Sequence, residues 1–162
     1  MKLRLDISAP SSLWRNLPRA RAIARETVAV CAAESGLAAR DGAEVSLLLA
    51  GDAEVKALNA RWRGQDKPTN VLSFPAARPD GLAGSATLGD IALAYETLAR
   101  EAEAAGVPLA DHYRHLVTHG FLHLIGYDHE TDEEAGRMEA LETRILARLG
   151  VPDPYADGAA IG

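Results

Sequence analysis

The spacing of apolar residues along this 162-residue chain switches repeatedly between strand and helix periods. Leu3, Leu5 and Ile7 alternate with polar residues, which predicts a short strand. Asn16 as a cap, with Pro18 in the first turn, predicts a helix carrying Ala20, Ile23, Ala24, Thr27, Val28 and Cys31 at helical spacing, stopped by Gly36. VSLLLA, from Val45, is a compact apolar run, the pattern of a strand covered on both faces. Asp52 is expected to cap the next helix, with Val55, Leu58 and Trp62 as its apolar stripe and Gly64 as its end. After Pro68, NVLSFP predicts a strand that stops before Pro75. Residues 76–85 read as a loop rich in Pro and Gly.

ATLGDIAL is a further strand, followed by a helix from about Ala94 to Ala105. Pro108 or Asp111 opens a helix that buries Leu116, Val117, Gly120 and Leu124 and leaves at Gly126. Thr131 and Glu134 form a T-x-x-E capping box for a last helix with Met138, Leu141, Ile145 and Leu149. Gly150 and Pro152 end it. Four short strands and five helices imply an α/β or α+β sandwich. Residues 1–150 read as a single domain, and 151–162 as a loose C-terminal tail.

Composition narrows the class. The chain is 48% hydrophobic and 25% charged, ordinary for a globular domain. No stretch reaches the length of a membrane span, and MKLRLDISAP lacks the apolar run of a secretory leader. Cys31 is the only cysteine, which rules out an internal disulfide and cysteine-based zinc fingers. These features fit the cytoplasm. A net charge of -6 argues against nucleic-acid binding by bulk charge. The average hides an asymmetry. Before Glu26, Asp6 is the lone acid against six basic residues, whereas Asp128 to Glu142 is acidic apart from Arg137.

All five histidines lie between positions 112 and 129, in HYRHLVTHGFLHLIGYDH. His119 and His123 are i and i+4 on one helix, about 6 Å apart along its axis, a span two imidazoles can close on one ion. His115 extends the series, but His115 and His123 stand two turns apart, about 12 Å, too far for one ion. Gly126 permits a reversal that returns His129. The expected ligand set is therefore His119, His123 and His129. Three imidazoles suit zinc, and also nickel, cobalt or copper. With three protein ligands a water completes the shell, and the metal makes it a hydroxide source near neutral pH. Asp128 or Asp132 as a fourth ligand would instead make the site structural.

Gly120 replaces the glutamate that follows the first histidine in H-E-x-x-H peptidases, so the usual general base of peptide hydrolysis is missing. A phosphodiester carries its own proton acceptors and needs positive charge on its nonbridging oxygens, which Arg61, Arg63 or Lys67 could supply. Asp90, inside TLGDIAL, could pair with an arginine or orient a ligand histidine, with Asp128 as the alternative. His112 and His115 read as surface or partly buried helix residues, and Asn70 as a turn residue.

HGFLHLIGYDH resembles the signature H-G-x-L-H-L-x-G-Y-D-H of the YbeY family of bacterial endoribonucleases. LNARWRGQDKPTNVLSFP, from Leu58 to Pro75, and LGDI, from Leu88 to Ile91, resemble the same family in order and spacing. The resemblance implies an α+β fold with a small mixed four-stranded sheet packed with about five helices, and a zincin-like three-histidine site. It implies one zinc ion per chain on His119, His123 and His129, with Arg63 as the catalytic arginine. It also implies a single-strand-specific, metal-dependent endoribonuclease acting in 3′-end maturation of small-subunit ribosomal RNA and in ribosome quality control. The implied partners are single-stranded RNA, the small-subunit ribosomal RNA precursor, and a small-subunit ribosomal protein or an assembly GTPase, with no membrane. The rival readings are a zinc metallopeptidase and a noncatalytic assembly factor braced by structural zinc.

Overall fold

The computed structural model describes residues 2–67 and 69–156. In chain order it contains β1 (Arg4–Ser8), α1 (Ala20–Glu34), β2 (Glu44–Ala50), α2 (Asp52–Arg63), β3 (Val71–Pro75), β4 (Thr87–Ala94), α3 (Tyr95–Ala105), α4 (Leu109–Leu124) and α5 (Asp132–Arg148). Single 3-10 turns occupy Ser12–Asn16 and Pro79–Gly84. The strands form one sheet in the order β1-β2-β4-β3. β1, β2 and β4 run parallel, and β3 joins the β4 edge antiparallel. This is the mixed four-stranded sheet with five α-helices that the resemblance implies.

Strand alternation divides the side chains between two layers. Val45, Leu47, Leu49, Ile91 and Leu93 point into the main core, where α1, α4 and α5 pack on one another. Leu72, Ala92, Leu48 and Phe74 form a smaller cluster with Val55 and Leu58 of α2 on the opposite face. Helix α4 is the central strut. It contacts α1, α3, α5, β3 and β4, and ten of its residues are buried, His115 and His119 among them.

The sequence expectations need correction at three residues. Asn16 does not cap α1. Its side-chain amide donates to the Leu13 carbonyl inside the 3-10 turn, and α1 begins later, at Ala20. That turn is anchored by buried Trp14, whose indole N–H donates to the Ala50 carbonyl at 2.8 Å. Asp52 is the first residue of α2 rather than its cap. Its carboxylate accepts from the Thr97 amide and hydroxyl and from Arg100, tying α2 to α3. Trp62 is 61% exposed. Helix α2 covers only part of its face of the sheet, and its last turn overhangs a groove lined by Asp6, Ser46, Phe74 and Asp90.

Pro68 and residues 157–162 of the expected tail lie outside the described residues. Residues 151–156 are described. Val151 is buried, and the Tyr155 hydroxyl bonds to Glu142 of α5.

Candidate metal centre

Two turns of α4 and the segment after it build the centre. His119 and His123 project from the same side of α4, with ring centroids 4.6 Å apart. The chain then reverses at Gly126, which has φ +104; a Cβ there would sit 2.7 Å from Pro79 Cγ, so the turn demands glycine. The reversal returns His129, with its ring 5.1 Å from that of His123 and 5.7 Å from that of His119. One ligand atom from each of the three histidines lies within 4.8 Å of the others.

Hydrogen bonds fix which nitrogens are free. His119 Nδ1 donates to Glu142 Oε1 at 2.9 Å, and His123 Nδ1 donates to the Tyr127 carbonyl at 2.9 Å. Both acceptors lack a proton to give, so each ring in its neutral form carries its proton on Nδ1 and leaves Nε2 as a lone pair. The two Nε2 atoms face each other at 3.1 Å. Two lone pairs that close repel unless a cation lies between them. Tetrahedral zinc, with Zn–N bonds of about 2.0–2.1 Å, sets its nitrogens about 3.3 Å apart, so the residues present fit such an ion.

His123 is kept neutral. Burial pushes its pKa down to about 4, helped by His119 and His129 and opposed by the Tyr127 carbonyl and Asp128. A neutral imidazole is the form that ligates. Burial falls from His119 through His123 to exposed His129, so the centre opens to solvent on the His129 side.

Behind His119 lies a layer that the sequence pattern does not reveal. Glu142, on α5, is fully buried. Its Oε1 takes the His119 bond, while its Oε2 accepts from His115 Nε2 at 3.0 Å and from the Tyr155 hydroxyl. Burial by itself would raise this carboxyl, but the bonds from His115, His119 and Tyr155 outweigh it and hold the pKa at about 2. Glu142 is thus ionised. His115 is buried with its ring turned to Glu142, and His112 bonds to Glu101 at 2.9 Å. One signal could have found Glu142: it is an acid on the inward stripe of α5, beside Leu141 and between Met138 and Ile145.

The other candidates separate. Asp90 is exposed in the groove on the α2 side of the sheet, away from α4, and Asp128 accepts from the backbone amide of His129. Neither orients a ligand ring. Asn70 closes its turn on the Val71 amide and donates to Glu101 of α3. Arg61 stacks on Trp62, and Lys67 is exposed. Arg63 ends α2; its guanidinium lies 5.4 Å from the Phe74 ring centroid, and Nη2 donates to the Ser73 carbonyl. The Ser73 hydroxyl in turn donates to the Gly120 carbonyl at 2.8 Å. Arg63 is therefore joined through β3 to the stretch of α4 that carries the ligands.

Gly120 has a packing reason as well as a chemical one. A Cβ at this position would lie 3.0 Å from Ile91 Cγ2 and 3.2 Å from Ser73 Oγ. Position 120 faces the sheet rather than the ligands, and a side chain there would require Ile91, Ser73 and Val71 to give way.

Residues 13–150 match the family described as Endoribonuclease YbeY. The chain belongs to the YbeY family. It is 51% identical over 156 residues to Endoribonuclease YbeY of Bradyrhizobium sp. BTAi1, covering 94% of this chain and 92% of that protein. Its similarity to the YbeY of Rhodopseudomonas palustris BisB18 is 54% identity over 155 residues, covering 94% and 92% of the two chains. The solution structure of a Thermotoga maritima protein is similar at a TM-score of 0.52 and 25% identity, covering 98% of this chain and 99% of that one. Among the described residues, no helix is long and apolar enough to cross a membrane.

Proposed function

We propose that this YbeY-family chain is a metal-dependent endoribonuclease that cuts single-stranded RNA, acting in 3′-end maturation of small-subunit ribosomal RNA and in ribosome quality control. The observation that carries this reading is the pair of bare Nε2 atoms on His119 and His123, with His129 completing the cluster on the open side. The metal in this reading is one zinc ion per chain, which three imidazoles suit. Bound there, zinc would supply Lewis-acid activation of the attacking group.

The chain's own residues supply the rest. Exposed His129 leaves the approach open to a polyanion. Arg63 spends one N–H on the Ser73 carbonyl and keeps others for the nonbridging oxygens of the scissile phosphate. The Phe74 ring, 5.4 Å from the guanidinium, supports it by a cation–π contact. Gly120 leaves no glutamate in the peptidase base position, and a nonbridging phosphate oxygen can take the proton of the attacking group. Action in the cytoplasm, with a small-subunit ribosomal protein or an assembly GTPase as protein partner, completes the reading.

The test incubates the zinc-loaded protein with single-stranded RNA, with duplex RNA of the same sequence, and with an unstructured protein. Cleavage of the single strand alone is expected, and none by H123A. R63A should bind zinc as wild type does and cut about a hundredfold more slowly. Cleavage of the protein but not of RNA would sink the reading. A 5′-phosphate on the downstream fragment marks attack by water, and a 2′,3′-cyclic phosphate marks attack by the ribose hydroxyl.

A further inference from the structure

Glu142 is the most heavily bonded buried charge among the described residues, and the RNA-cutting step makes no use of it. All three of its partners are donors. Two come from α4, four residues apart, and the third comes from the turn that follows α5. A buried carboxylate is tolerated only when its lone pairs are satisfied, and here they are shared unequally. Oε2 takes His115 and Tyr155, which fixes the rotation of the carboxylate. Oε1 is left to His119 alone.

We propose that Glu142 is a positioning residue of the metal centre. Steered by His115 and Tyr155, it locks His119 in the Nδ1–H form with its Nε2 lone pair aimed at the ion. The inference rests on the three-histidine metal reading and deepens it. It also gives His115 a task, as the partner that orients the carboxylate, and explains why this histidine is not itself a ligand. The C-terminal turn becomes part of the centre, because Tyr155 contacts the carboxylate directly. A carboxylate on the far nitrogen of a ligand imidazole fixes its orientation and raises its basicity, and removing such a partner weakens metal binding about ten- to a hundredfold.

The test measures zinc affinity by competition with a chromophoric chelator at one fixed pH, for wild type, E142Q, H123A and E133Q. Glu133 is exposed and paired only with Arg137, so E133Q should bind as wild type does. E142Q keeps the shape of the side chain and removes its charge. It should lose about tenfold or more in affinity. In the cobalt-loaded protein its visible spectrum should shift, while the circular dichroism of the metal-free protein stays as in wild type. Unchanged affinity and spectrum in E142Q would overturn the role of Glu142. If H123A bound zinc as tightly as wild type, the metal reading itself would fail, a separate result. A second measurement needs no variant. Long-range nitrogen–proton NMR of the metal-free wild type should place the His119 proton on Nδ1, and a proton on Nε2 would overturn the proposal.

Discussion

The two halves of the metal centre are built differently. The inner half, His119 and His123, stands on a buried helix with both rings pinned through Nδ1. The outer half, His129, is exposed and comes from the segment between α4 and α5. The inner half is held by packing in α4 and by hydrogen bonds on both Nδ1 atoms, which leave the Nε2 sides turned towards each other. The outer half is set by the Gly126 turn and has its ring exposed. On the proposed reading, His119 and His123 would hold the ion, and exposed His129 would stand on the solvent side, where a polyanion can approach.

The sharpest way to break this contrast is to remove one ligand from each half. H119A and H129A should both lose the ion and the activity, but they should differ as metal-free proteins. H119A takes a donor from buried Glu142, whose remaining partners are His115 and Tyr155, and should unfold about 1–3 kcal/mol more easily in urea. H129A removes an exposed side chain and should lie within about 0.5 kcal/mol of wild type. Equal destabilisation by the two would show that the inner half is no more preformed than the outer.

The glycines offer a second, smaller contrast. G120A drives a methyl group into Ile91, Ser73 and Val71, where α4 presses on the sheet. Overpacking of this kind costs about 1–3 kcal/mol of stability, and a displaced α4 would carry both inner ligands with it. G126A strains a backbone at φ +104 and meets Pro79. It should cost at least about 1 kcal/mol and weaken zinc binding through His129 and through the Tyr127 carbonyl that holds His123, with α4 left in place. In cobalt-loaded protein the two variants should therefore perturb the visible spectrum differently. Identical spectra would argue that the ligands move as one unit.

These contrasts also mark what the sequence could express. The i, i+4 pair and the return at Gly126 are local geometry, so the clustering of His119, His123 and His129 is legible from spacing. Gly120 is legible as a missing base but not as a contact, because its neighbours Ile91 and Ser73 come from distant strands. Glu142 escapes notice for the same reason. Only the docking of α5 on α4 brings it to His119, and periodicity says nothing about which helices meet. Strand order is lost likewise, since β4 inserts between β2 and β3. Asn16 misleads because a good cap residue serves a 3-10 turn equally well. Trp62 misleads because its stripe continues past the part of the sheet that α2 covers.

The smallest expected effect is the most exacting test of a preformed inner half. Cys31 of α1 lies behind it, fully buried, with its thiol against the hydroxyl of Thr118, the residue before His119. Burial, with a contribution from the Glu142 charge and against the Thr118 bond, pushes this thiol from 9.0 up to about 12. The folded thiol therefore stays protonated and unreactive up to strongly alkaline pH. The sign follows from the raised value. Its contribution to stability is complete below about pH 9 and is lost as pH rises towards 12. At pH 8 an aromatic disulfide reagent should reach Cys31 only when α1 and α4 part. In metal-free protein, the free energy of that opening should match global unfolding in urea within about 0.5 kcal/mol. It should follow the global value equally in H129A. An opening well below the global value, in protein that keeps its circular dichroism, would mean that the inner wall separates locally and needs the ion to close it. The contrast between the two halves would then be one of degree only.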